Sequence, residues 1–204
     1  MSGAEEIIKH GKKNQEGSNN MKGNHTDAST ALKQLKEGNK TYINSKNGVG
    51  DISPEKRLYT SENGQHPYAV VVSCSDSRVI PESIFSAGIG DLFVIRVAGN
   101  VIDNYPMGSV EYAVEHLGCK LVVVLGHTGC GAVGAANSQN GGYIKFITDE
   151  IRRAIGSETD AVKASILNIK QSVCKIKDNI AAEGLLVVGA LYHTDSGLVD
   201  FFEN

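Results

Sequence analysis

Four short β-branched runs constrain this chain more than any other feature: YAVVVS at 68–73, DLFVIRV at 91–97, KLVVVLG at 120–126 and GLLVVGALY at 184–192. Each is nearly continuous in apolar residues, without the alternation of a strand that has one wet face, so each reads as a strand buried on both faces. Helical spacing fills the gaps. Leu32, Leu35, Tyr42 and Ile43 share one face of a helix that starts at Asp27 and stops at the breaker NSKNGVG. The segment PESIF reads as a short helix entered through Pro81, MGSVEYAVEHL places Val110, Val114 and Leu117 on one face, and helical patterns cover 143–155 and about 160–182. The segment SENGQHP reads as a connection. Strands alternating with helices build an α/β fold, here a mainly parallel sheet of four or five strands flanked by helices, with GLVDFF as the edge strand.

At 204 residues the chain is long enough for one well-filled core without disulfide staples. Residues 1–25 are rich in Gly, Asn, Lys and Ser without sustained periodicity, and are expected to form an N-terminal arm ahead of a single domain over 26–204. A net charge of −3 and a pI near 6.1 leave no dense basic block, so no nucleic-acid partner is expected. No apolar run approaches the roughly 18 residues of a membrane helix, and the start lacks the apolar core of a secretory signal. The expectation is a soluble, cytoplasmic protein with no membrane partner. Four cysteines, at 74, 119, 130 and 174, are too sparse for a disulfide scaffold and are expected to be reduced.

Ligands of open parallel sheets gather outside the carboxyl ends of the strands. There the sequence sets SCSDSR, RVAGN, GHTGCG and HTDSG, one after each run. The third of these admits two readings. Gly129, Gly131 and Gly134 match the dinucleotide fingerprint, which would make this turn a nucleotide-binding module, and Asp149 and Glu150 follow about 20 residues on, where a ribose-binding acid belongs. Those acids, however, fall inside the helical pattern YIKFITDEIRRAI rather than at a strand end. The second reading joins His127 and Cys130, in H-x-x-C spacing, to Cys74 at the end of another strand. A catalytic zinc site takes three such protein ligands and leaves a fourth position for water.

CSDSR at 74–78, AGN at 98–100, EYAV at 111–114 and GHTGCG at 126–131, in that order, closely resemble the β-class carbonic anhydrases. The resemblance runs from about Ala31 to Phe202. It implies one Zn2+ per subunit on Cys74, His127 and Cys130, and an Asp76–Arg78 dyad that controls the water on that zinc. It further implies that Gln65, Phe93, Tyr112 and the backbone at Gly131 form the substrate pocket, and that the reaction is reversible hydration of carbon dioxide to bicarbonate and a proton by a zinc-bound hydroxide. In such proteins the pocket draws on a neighbouring subunit, so a homodimer or homotetramer is implied, with helix one expected at the interface. Similar proteins hydrolyse carbon disulfide or carbonyl sulfide, an alternative activity on the same fold.

Two thiolates and a neutral imidazole cancel the charge of the dication, which weakens it as a Lewis acid and makes a nearby acceptor useful. Asp76 is that acceptor, held ionised by Arg78. Family members that close the site by turning this aspartate onto the metal carry a bicarbonate pocket with a tryptophan; the matching position here is Val71, although Arg96 and Tyr192 match the pocket's other two. The open, water-bearing form is therefore expected.

Overall fold

The computed structural model describes residues 26–45, 48–138 and 141–202; the expected arm, residues 1–25, lies outside them. One sheet carries β1 (Ala69–Ser73), β2 (Leu92–Arg96), β3 (Leu121–His127), β4 (Leu186–Tyr192) and β5 (Val199–Phe202) in the order β2-β1-β3-β4-β5. The first four are parallel and β5 runs antiparallel along β4. Central strands β1 and β3 are buried at every residue, which is the physical reason for their unbroken apolar runs. Edge strand β2 is only half-buried.

Seven α-helices are described: α1 (Ala28–Asn44), α2 (Pro54–Asn63), α3 (Pro81–Ile84), α4 (Asn104–Glu115), α5 (Gly131–Ala135), α6 (Ile144–Ile155) and α7 (Ala161–Asn179). Helices α4 and α7 cover one face, where Val110, Val114, Ile169, Val173 and Ile176 meet Val70, Val72, Val122 and Val124. Helices α1 and α3 cover the other through Ala31, Leu35 and Ile84, against Val71, Val123 and Leu125. Odd and even residues of β1 and β3 thus serve different layers, as the two-residue period of a strand requires. A third apolar cluster, with Cys74, Val101, Cys130, Val133 and Ile151, closes the carboxyl end of the sheet beneath α5 and α6.

Asp27 caps α1 by accepting from the backbone N–H of Ser29 and Thr30 at 3.0 Å each. Of the stripe Leu32, Leu35, Tyr42 and Ile43, Leu35 is fully buried against the chain's own sheet, Leu32 and Tyr42 are half-buried, and Ile43 is exposed. Helix α2 has no counterpart in the sequence reading, because none of its residues is buried and it carries no apolar stripe. Its start was nonetheless marked: Ser53 accepts from Lys56 N–H at 3.1 Å and Pro54 occupies the first turn. Among the described residues, no helix is long and apolar enough to cross a membrane.

Candidate metal centre

Strand register brings the first two candidate ligands together. Ser73 pairs with Leu125, so Cys74 follows level with Gly126 and beside His127, the last residue of β3. The chain then turns back through Gly129, whose φ of +67° is natural to glycine, and sets Cys130 at the N-cap of α5. All three side chains are buried, at 4 % exposure for Cys74, 0 % for His127 and 7 % for Cys130. The two sulfurs are 4.0 Å apart, and the ligand atoms of all three lie within 4.8 Å of one another.

His127 Nδ1 lies 3.0 Å from the Thr128 carbonyl, an acceptor, so Nδ1 carries the proton and Nε2 the lone pair. Nε2 is buried with no hydrogen-bond partner. A buried polar atom left without a partner is costly unless something else binds it. Two sulfurs at about 2.3 Å from a tetrahedral zinc stand about 3.8 Å apart, close to the spacing seen here. The donor set therefore fits a tetrahedral, thiophilic cation.

Backbone donors complete the surroundings of Cys74, with the Gly99 N–H at 3.2 Å and the Asp76 N–H at 3.4 Å from Sγ. The hydrogen bond from Cys130, backed by His127 and these amides against the cost of burial, draws Cys74 below an ordinary thiol, and Cys130 is pushed up in return. Gly99 sits in a 3-10 turn, Ala98–Asn100, with φ +69°, and a Cβ there would stand 2.7 Å from Ile151 Cδ1. Only glycine fits.

Asp76 leaves β1 two residues after Cys74 and forms a two-pronged ion pair with Arg78, Nη2 to Oδ2 at 2.7 Å and Nε to Oδ1 at 3.0 Å. The Arg78 guanidinium holds the Asp76 carboxyl well below the usual carboxylate range. Arg78 also donates to the Gly129 carbonyl at 3.2 Å, tying the dyad to the H-x-x-C turn. Asp76 Oδ2 is 3.8 Å from His127 Nε2, so the carboxylate borders the space the ligands enclose. Arg96 donates to the carbonyls of Cys74 at 3.2 Å and Asp76 at 2.8 Å, bracing this loop, while the Tyr192 hydroxyl lies 3.2 Å from that of Tyr42.

Not every expected pocket residue joins the cluster. Gly131 opens α5 beside Cys130. Phe93 is level with Val70, four residues before Cys74, which puts it about 13 Å down the sheet. Its ring lies 6.1 Å from that of Tyr112, which stands 5.3 Å from His116, and Gln65 is exposed ahead of β1. Gln65 and Phe93 thus lie towards the amino end of the parallel strands, away from their own chain's Cys74, and Tyr112 sits beside Phe93. The dinucleotide reading also fails on placement. Asp149 and Glu150 lie within α6, where Asp149 pairs with Lys145 and Arg152 and Glu150 with Arg153 and Lys175.

Comparison with known proteins agrees with this geometry. The carbonic anhydrase family model matches residues 69–199. Carbonic anhydrase 2 of Mycobacterium tuberculosis is 37 % identical over 193 residues, covering 85 % of this chain and 92 % of that protein. Among solved structures, the β-carbonic anhydrase CafA of Aspergillus fumigatus superposes with a TM-score of 0.63 at 30 % identity, over 73 % of this chain and 81 % of that one. One of two tetrameric β-carbonic anhydrases from Sordaria macrospora gives 0.64 at 26 % identity, over 74 % and 88 %. With a parallel sheet that converges two cysteines and a histidine at its carboxyl edge, and relatives that span the domain, the chain belongs to the β-class carbonic anhydrases.

Proposed function

We propose that this protein catalyses the reversible hydration of carbon dioxide to bicarbonate and a proton, with one zinc held by Cys74, His127 and Cys130. The observation that carries this reading is the buried, unpartnered Nε2 of His127 facing two sulfurs 4.0 Å apart. Zinc held there supplies Lewis acidity, which brings the ionisation of a water into the neutral range. The chain's own groups do the rest. Asp76, kept ionised by Arg78, accepts a hydrogen bond at the border of the ligand cluster and orients solvent for attack. The Gly131 backbone borders the same space at the start of α5.

Carbon dioxide has no net dipole, so it needs an apolar wall more than a charged grip. Phe93 and Tyr112 supply that wall, and Gln65 donates to a bicarbonate oxygen, from a second copy of the chain, because within one chain they lie too far down the sheet. The working unit is then a dimer or a tetramer with the site at the subunit interface, in line with the tetrameric relatives from Sordaria. Residues 26–204 constitute the catalytic domain. Two thiols that must stay reduced to hold zinc suit a cytoplasmic location.

Stopped-flow hydration of carbon dioxide by zinc-loaded protein tests the reading. Turnover that rises with pH across about 6 to 9 is expected, and stoichiometric zinc without hydration anywhere in that range defeats it.

A further inference from the structure

Helix α7 carries three buried polar side chains that the proposed chemistry leaves unused; Ser165 bonds back to its own helix, while Asn168 at 2 % exposure and Ser172 at 3 % reach outside it. A buried amide or hydroxyl belongs in a core only where it makes hydrogen bonds. Both reach the same place. Asn168 Nδ2 donates to the Gly99 carbonyl at 2.7 Å, and Ser172 Oγ donates to the Asn100 carbonyl at 3.1 Å. Gly99 and Asn100 are consecutive left-handed residues, with φ +69° and +46°, a turn that needs outside support to persist.

Close packing brings α7 within reach. Ile169, next to Asn168, sits over two strand glycines; a Cβ on Gly126 would meet its Cδ1 and Cγ1 at 2.6 Å, and one on Gly189 its Cγ2 at 2.8 Å. The helix is thereby seated one residue away from the amide that holds the turn. The backbone N–H of Gly99, the residue whose carbonyl Asn168 holds, donates to Cys74 Sγ at 3.2 Å. Asn168 and Cys74 are thus linked through one glycine, pinned on both of its polar groups.

We infer that Asn168 is a positioning residue for the metal centre: by fixing Gly99 it maintains the N–H···S bond that sets how much charge the Cys74 sulfur passes to a bound cation. This rests on the zinc reading above. Groups that orient metal ligands from behind typically change metal affinity by about 10- to 100-fold when removed. Asn168→Leu keeps the approximate shape and removes the donor. Freed of its amide, the sulfur is easier to oxidise.

In the cobalt-loaded Asn168→Leu protein the thiolate-to-cobalt charge-transfer bands should move to longer wavelength, and, because Gly99 no longer fixes the direction of the Cys74 sulfur, zinc should pass to a chelator about tenfold faster. Asn168→Gln, which restores a donor, should recover part of both. A folded Asn168→Leu protein with wild-type bands and wild-type release overturns the inference. Should that variant not fold, the wild-type protein loaded with an NMR-active cadmium isotope decides: the Gly99 amide proton should show coupling to cadmium through the sulfur, and its absence overturns the inference. Wild-type protein that takes up neither cobalt nor cadmium on thiolates overturns the zinc reading instead.

Discussion

Arg78 and Asp76 meet edge to edge although only one residue separates them: two guanidinium nitrogens lie 2.7 and 3.0 Å from the two carboxylate oxygens, and the Arg78 backbone N–H adds a third bond at 3.0 Å. The pair turns the carboxylate into a fixed, ionised acceptor beside His127. Asp76→Asn keeps the shape and most of the hydrogen bonds but loses the charge. The variant should retain zinc and lose about 10²- to 10⁴-fold in turnover near neutral pH. Unchanged turnover in stopped-flow assays would show that Asp76 takes no part.

The same pair makes a pH-dependent contribution to folding. The folded-state pKa of Asp76 is depressed below the unfolded value of about 4. Its stabilisation is therefore fully present above about pH 4 and is lost as pH falls below that towards the folded value. Urea unfolding of metal-free wild type and Asp76→Asn should show a constant gap between pH 7 and 5 that narrows below pH 4. A gap that widens on acidification contradicts the assignment.

Phe93 and Tyr112 yield a test of shared sites. Phe93→Ala spares the metal ligands, and Cys74→Ser spares the wall. Each variant alone should be weakly active. Unfolded together and refolded as a mixture, random pairing gives heterodimers that hold one intact site, so activity should return to about a quarter of wild type. Activity no greater than the sum of the separate variants would place the wall within one chain.

Packing at the back of the site is testable through stability alone. Gly126→Ala sets a Cβ against Ile169 side-chain atoms at 2.6 Å on a strand buried at every residue. The variant should lose about 1–3 kcal/mol in urea unfolding. A midpoint equal to wild type would mean that α7 moves freely away from the sheet.

The strand runs and the metal trio were legible because both depend on side-chain type at fixed spacing. Val70 to Val72 and Val122 to Val124 are buried on two faces, and no polar residue interrupts them. Cys74 follows one apolar run, His127 ends another and Cys130 comes three residues later, which made them candidates in the sequence; that β1 and β3 are neighbours, so that the three converge, is seen only in the fold. Helix α2 was not legible by periodicity, since Leu58 and Tyr59 stand 61 % and 58 % exposed; only the Ser53-Pro54 start pointed to it. The distance of Phe93 from its own Cys74 emerges only from strand register. The Gly99 amide leaves no mark in the sequence as a donor, and nothing in the helical pattern over about 160–182 singles out Asn168 from the other polar residues of α7.

X-ray absorption at the zinc edge of protein purified without chelator tests the central claim most directly. Two sulfur neighbours at about 2.3 Å and two lighter ones at about 2.0–2.1 Å are predicted, with one zinc per chain. A zinc shell without sulfur, in reduced protein, would contradict the account.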